Sequence, residues 1–278
     1  MIKSILVGLD GSEHSRTAEA WTIWLGEKLE AKVTGMHVVD IVAIEGSFFH
    51  DISGSLGFEP YLDFTSKMRE ALQNRGNALL EEFRGRCETA GVRCDTTMRI
   101  GIVASELAER ARESDLLVIG HRGVNHQFAT GMLGGVAENL TRQSTKPVLV
   151  TPQAFRPVTS PLLAWDGSER ASAAMDAAAE FCTTLGLPLT VLTVSRDEAK
   201  AHEILGAAER YLDSYDLALE TRIVEGQAWE AIPAAVNEGG HDLIFMGSHG
   251  HGRIIEFVLG STTEYVLRNV SCPVFLNR

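Results

Sequence analysis

Three short clusters in the second half of the chain carry residue types suited to holding a string of anionic oxygens and a flat ring. Gly247-Ser248-His249-Gly250 is followed, nine residues later, by Gly260-Ser261-Thr262. Glycine lets backbone N–H groups approach an anion closely and takes positive φ without strain. Gly260-Ser261 stands directly before a helical apolar periodicity. An anion there would face a helix N-terminus, where unpaired N–H groups and the axial dipole favour negative charge. Ser261 and Thr262 add hydroxyl donors. The plainer reading of these residues is a glycine-rich turn with a serine N-cap. The second cluster is Asp166-Gly167-Ser168-Glu169. The Asp166 carboxylate could accept a hydrogen bond from an adenine amino group or a ribose hydroxyl. The same letters also fit a capping box with Asp166 at the N-cap and Glu169 at N3, as do Asp10-Gly11-Ser12-Glu13. The third is the end of an apolar run at Val194, where backbone and side chain could line a base.

Each cluster has an earlier echo. Residues 6–13 match residues 162–169 at an offset of 156, and residues 115–123 match residues 242–250 at an offset of 127. Residues 146–150 match residues 272–276. The chain therefore reads as two copies of one unit, and the first copy carries 29 extra residues between its two matched motifs. Most of the excess falls between Asp40 and Gly91. The boundary falls near residues 152–157, where two prolines follow a strand pattern, so the expected domains are 1–153 and 158–278. The part of the excess at 41–64 holds Phe48, Phe49, Phe58, Tyr61 and Phe64 with three glycines. It reads equally as a lid over the first crevice, a contact for a partner chain or an inert excursion.

Each copy alternates short apolar runs with amphipathic stretches. In copy one, residues 2–9, 33–39, 92–98, 116–120 and 148–151 read as strands, and 13–30, 62–90, 103–113 and 136–142 as helices. Copy two repeats the order, with strands near 161–165, 189–194, 218–224, 243–247 and 274–277. A continuous apolar run such as 2–9 is how a strand buried on both faces reads. The expected fold is α/β: two tandem, doubly wound, five-stranded parallel sheets of Rossmann-like type with right-handed crossovers. Such sheets bind ligands outside the carboxyl ends of their strands, where strand order reverses. All three clusters fall on that edge.

The pattern G-x2-G-x9-G-[ST] after a fourth strand resembles the ATP-binding signature of the universal stress protein family. Gly247, Gly250, Gly260 and Ser261 match it. The opening strand followed by Asp-Gly-Ser-Glu and the closing Cys272-Pro273-Val274 are also similar to that family. The resemblance spans both copies except the extra stretch. It implies an ATP-binding stress-response regulator in which Asp166 and Val194 hold adenine. The glycines, Ser261 and Thr262 would hold the phosphates, with or without Mg2+. It further implies that modules pair through their last strands, within one chain as a pseudo-dimer or between chains as a homodimer. Copy one departs from the pattern. It retains Asp10, Val38, Gly120, Gly123 and Gly134, but ten residues separate Gly123 from Gly134 and the next residue is Gly135. Lacking the hydroxyl, copy one is expected to bind more weakly than copy two or to be empty.

Composition removes several other classes. Net charge is −12, which disfavours a nucleic-acid surface built from clustered Lys and Arg. Hydrophobic residues make up 45% of the chain and mean hydropathy is +0.01, values of a protein with a real core. No apolar run approaches the roughly 18 residues of a spanning helix, and the N-terminal residues lack a secretory pattern. The expected location is the cytoplasm. Cys87, Cys94, Cys182 and Cys272 form no CxxC pair and read as free thiols. His249-Gly250-His251 lacks partners at metal-ligand spacing, so no metal site is expected. GxxxxGK[ST], GxGxxG after the first strand and GxSxG are all missing. Arg253 aside, no charge clamp or general base for phosphoryl transfer stands out. The sequence therefore favours binding over fast catalysis, with slow ATP hydrolysis and a scaffolding module with degenerate sites as the alternatives.

Overall fold

The computed structural model describes residues 1–41, 59–123, 133–248 and 259–277, with the backbone alone for 59–65. The strands of the first half are β1 (Ser4–Gly8), β2 (Lys32–Asp40), β3 (Cys94–Gly101), β4 (Leu116–Gly120) and β5 (Val148–Thr151). Its helices are α1 (Glu13–Lys28), α2 (Glu59–Thr89), α3 (Val103–Ala111) and α4 (Gly135–Gln143). The second half has β6 (Pro161–Ala164), β7 (Leu189–Val194), β8 (Leu219–Val224), β9 (Leu243–Gly247) and β10 (Val274–Asn277). Its helices are α5 (Glu169–Leu185), α6 (Glu198–Leu212), α7 (Ala228–Gly239) and α8 (Ser261–Asn269).

The ten strands form one sheet in the order β3-β2-β1-β4-β5-β10-β9-β6-β7-β8. Every pairing within a half is parallel. The halves join through the antiparallel pair β5–β10, with Leu149 opposite Phe275. Side chains alternate across a strand, so each apolar run feeds two cores. Ile5, Val7, Leu116 and Val118 face one cluster with α1, α2, α5 and α6, and Leu6, Leu117 and Ile119 face the other with α3, α4, α7 and α8. This two-sided burial is why the central strands read as unbroken hydrophobic runs.

Two acidic brackets fix the opposite, amino-terminal edge of the sheet. Asp115 Oδ2 accepts from Lys3 N, Ser4 N and Ser4 Oγ, each at 2.9 Å. Asp242 repeats the arrangement with Thr159 N and Oγ1 at 2.7 Å and Ser160 N at 2.8 Å. In both copies the start of the fourth strand is thereby tied to the start of the first.

The connection between the copies is docked rather than loose. Phe155 packs edge-on against Trp21, centroids 5.2 Å apart, and Val158 is buried in the core. Gln153 O accepts from Thr17 Oγ1 at 2.8 Å. The third strand begins at Cys94, two residues later than the alternation suggests, because Val92 N is taken by Cys87 O at 2.9 Å in the turn that ends α2. Of the 41–64 segment, residues 42–58 lie outside the described residues, and α2 already begins at Glu59.

Candidate functional site at the carboxyl edge

In each half, strand order reverses between the first and fourth strands, β1 with β4 and β6 with β9. Chain leaving these neighbours departs to opposite sides, opening a crevice at their carboxyl ends. Asp10, Gly120, Gly123 and Gly134 follow β1 and β4 there; Asp166, Gly247, Gly260, Ser261 and Thr262 follow β6 and β9. Val38 and Val194 stand near the end of the neighbouring strands β2 and β7. The structure thus brings the described candidates of each copy to one edge. Gly250, with His249, His251 and Arg253, lies outside the described residues.

The aspartates are not helix caps, contrary to the capping-box reading. Ser12 and Ser168 occupy the N-caps, accepting from Ser15 N and Ala171 N at 3.1 and 3.2 Å. Gly11 and Gly167 adopt φ of +80° and +78°, inserting a left-handed step that delays the helix by two residues. Asp10 Oδ1 and Asp166 Oδ1 instead accept from Ser12 N and Ser168 N at 2.8 and 3.0 Å. This Asx turn leaves each carboxylate at the crevice with its orientation fixed.

The glycines divide by the reason they are needed. A Cβ on Gly120 would stand 2.8 Å from the carbonyl carbon, oxygen and Cβ of His14, and one on Gly247 would stand 3.2 Å from Arg170 C and O. These two glycines let the first helix of each copy cross the end of the fourth strand. Gly123 meets the aspartate: a Cβ there would lie 2.8 Å from Asp10 Oδ2. Gly134 and Gly260 are N-caps with extended φ, −62° and −60°, and no side-chain cap. Their own amides are consumed, Gly134 N by His121 O at 3.0 Å and Gly260 N by Ser248 O at 3.3 Å. Among the described residues that follow the fourth strands, the donors left for an anion are those of the first helical residues. In α8 these are Ser261 and Thr262, whose N–H groups find no protein acceptor among the described residues, as first-turn amides do not. The Ser261 side chain is exposed and Thr262 half-buried. Thr263 turns inward and its Oγ1 donates to Gly247 O at 3.3 Å, tying helix to strand. In α4 the first residue is Gly135, without a hydroxyl.

Sequence reasoning missed His121. Its Nε2 lies 2.8 Å from Leu267 O in the last turn of α8, joining the loop of copy one to the helix of copy two. Burial pushes its pKa below the usual 6.5, and the charges of Arg122 and Arg268 and the nearby His14 add to this against the opposing Leu267 carbonyl bond. The ring is thus held neutral, with Nε2–H donating. The only signal was its place directly after Gly120. Also missed was an aromatic pair on the helices of copy two, Trp229 in α7 and Tyr265 in α8, with centroids 4.9 Å apart and both partly exposed. Among the described residues no group of three or more His, Cys, Asp and Glu could hold a metal ion. No helix of the described residues is long and apolar enough to cross a membrane. Two grooves lie away from this edge. One, of about 440 Å³, runs along α1 beside Trp24, Arg86 and Phe155, and the other, of about 390 Å³, lies near Thr190, Arg222 and His241.

The universal stress protein family model matches the chain twice, over residues 1–152 and again over 161–278. The chain belongs to the universal stress protein family. A universal stress protein of Synechocystis sp. is 31% identical over 287 residues, covering 100% of both chains. One from Mycolicibacterium smegmatis is 25% identical and covers 99% of this chain and 96% of its own. A crystal structure of a universal stress protein from Archaeoglobus fulgidus superposes with a TM-score of 0.75 at 24% identity, covering 98% of this chain and 95% of that one. Its similarity extends over the tandem arrangement, so this universal stress protein and that one share the fold across both modules.

Proposed function

We propose that this protein binds an adenine nucleotide, ATP in the first instance, and acts as a stress-response regulator rather than a fast catalyst. The observation that carries the reading is the start of α8. The amides and hydroxyls of Ser261 and Thr262, without a protein acceptor among the described residues, stand at the switch-point crevice, with the Gly260 amide bonded to Ser248 O. Backbone N–H groups at a helix N-terminus suit phosphate by charge and by geometry. Asp166, oriented by its Asx turn, and Val194 at the end of β7 would receive adenine and ribose. Gly247 and Gly260 shape the backbone around them, and Gly250 completes the pattern in sequence. With no acidic or histidine cluster to hold a metal among the described residues, Mg2+ would arrive on the phosphates, offsetting the repulsion of a chain with net charge −12. Copy one is the weaker site. Its helix α4 opens on Gly135, where α8 of copy two opens on Ser261. Val38, Gly120 and Gly134 would frame whatever binding it retains. The modules work as an intramolecular pseudo-dimer through β5–β10, in the cytoplasm, with a homodimer as the intermolecular counterpart.

Calorimetric titration of the full chain with ATP and Mg2+ tests this. One tight site per chain is expected. Ser261→Ala should weaken it by about tenfold or more, the worth of one hydrogen bond to a charged acceptor at roughly 1.5–3 kcal/mol. Absence of binding would refute the reading. A tight site indifferent to Ser261→Ala and Thr262→Val but lost in Gly135→Asp would refute the assignment to copy two.

A further inference from the structure

The chain has four thiols, and two of them meet. Cys87 lies in the last turns of α2 and is buried; Cys94 is the first residue of β3 and is partly exposed. Two independent registers bring them together. Phe83 of α2 sits on Gly35 of β2, where a Cβ would stand 2.5 Å from Phe83 Cδ1. Arg84 Nη2 donates to Thr96 Oγ1 of β3 at 2.6 Å. Gly35 is paired with Thr96, and two residues back Val33 is paired with Cys94. Four residues along a helix advance about 6 Å, and two residues along a strand about 6.6 Å. Moving from Phe83 to Cys87 therefore descends by the same distance as moving from Gly35 and Thr96 to Val33 and Cys94. Both cysteines belong to the same side of the sheet, Cys87 within the core cluster and Cys94 packed against it. The two thiols are near enough for Cys94 to raise the pKa of Cys87, in addition to the larger effect of burial. Cys182 is buried in α5, and Cys272 lies on the opposite side of the sheet.

We propose that Cys87 and Cys94 form a peroxide-responsive disulfide that staples α2 to the edge strand β3. Cys94, the accessible member, reacts first. Its thiolate sulfur attacks hydrogen peroxide, an S–O bond forms as the O–O bond breaks, and the departing hydroxide takes up a proton as water. The product is a sulfenic acid on Cys94. Cys87 then gives up its proton and its sulfur attacks the Cys94 sulfur. The S–S bond forms, the S–O bond breaks, and a second water leaves. In sum, two thiols and one peroxide give one disulfide and two waters. Burial and the neighbouring Cys94 hold the Cys87 thiol protonated, so the second step is slow in the folded protein and the switch answers sustained rather than brief exposure. The staple acts on the helix that also covers the first crevice, since Leu79 of α2 lies against Gly11.

The experiment treats the full reduced chain with hydrogen peroxide and follows thiol count, intact mass and a tryptic map. Arg86, Arg93 and Arg99 place the two cysteines on separate adjacent peptides, 87–93 and 94–99. The expected result is a fall from four titratable thiols to two, a loss of two hydrogens per chain, and one cross-linked pair of those peptides that dithiothreitol separates. Cys94→Ser should abolish the cross-link, whereas Cys272→Ser should leave it unchanged. Four surviving thiols, Cys94 driven to sulfinic or sulfonic acid without a cross-linked pair, or disulfides between chains would each overturn the proposal. The wild-type map decides the matter even if a variant fails to fold.

Discussion

Alanine at Gly120 and at Gly247 separates a packing role from a ligand role for the glycines that close the fourth strands. The added methyl at 120 would stand 2.8 Å from three atoms of His14, two of them backbone. Comfortable carbon contacts begin near 3.5 Å, so α1 would have to retreat by more than half an ångström along a face that also packs on β1 and β4. Overpacking of this kind costs about 1–3 kcal/mol. The contacts at 120 are with backbone that cannot rotate away, which places Gly120→Ala near the top of that range. At 247 the nearest atoms are 3.2 Å away, a gap closable by a few tenths of an ångström, so Gly247→Ala should cost about 1 kcal/mol. For a chain of this size 1 kcal/mol shifts Tm by about 2 °C. Thermal unfolding without nucleotide should therefore fall by about 6 °C for Gly120→Ala and about 2 °C for Gly247→Ala. Equal shifts, or none at 120, would refute the claim that helix crossing requires these glycines.

Acid should remove what Asp115 contributes. Its burial alone would raise its pKa, but the donors of Lys3 and Ser4 and the charge of Lys146 outweigh this and hold it below 3.8. A depressed carboxylate stabilises the fold fully above its unfolded pKa and loses that contribution as pH falls through the folded one. The Tm gap between the wild type and Asp115→Asn should thus be widest near neutrality and narrow below pH 3.8. Glu19 is buried and answers to Arg86 through two bonds, one of 2.9 Å from Nη2. Arg86→Leu should cost about 2–3 kcal/mol by stranding that carboxylate, and the double variant Glu19→Leu/Arg86→Leu should recover much of the loss in urea unfolding.

The duplicated parallel architecture was legible because a strand buried on both faces has no polar alternation to blur it. Residues 4–8 and 116–120 announce themselves as apolar runs, and each recurs in copy two. Caps were harder to read. Asp-Gly-Ser-Glu contains two good cap residues, and only the left-handed glycine between them decides that Ser12 and Ser168, not the aspartates, begin the helices. Gly120 also has a steric reason, the crossing of His14, which the distance between the two in sequence hid. Phe155 between two prolines gave no sign that it would lie against Trp21. His121 was invisible because its partner, the carbonyl of Leu267, belongs to the other copy, and pairing between copies leaves no trace in the spacing of either.

Crystals of the full chain grown with ATP and Mg2+ test the central claim most directly. The account predicts a triphosphate at the amino end of α8, its oxygens within 3.2 Å of the Ser261 and Thr262 amides, with adenine between Asp166 and Val194. A nucleotide bound elsewhere, or an α8 start that keeps its amides for protein acceptors at saturating ATP, would contradict it.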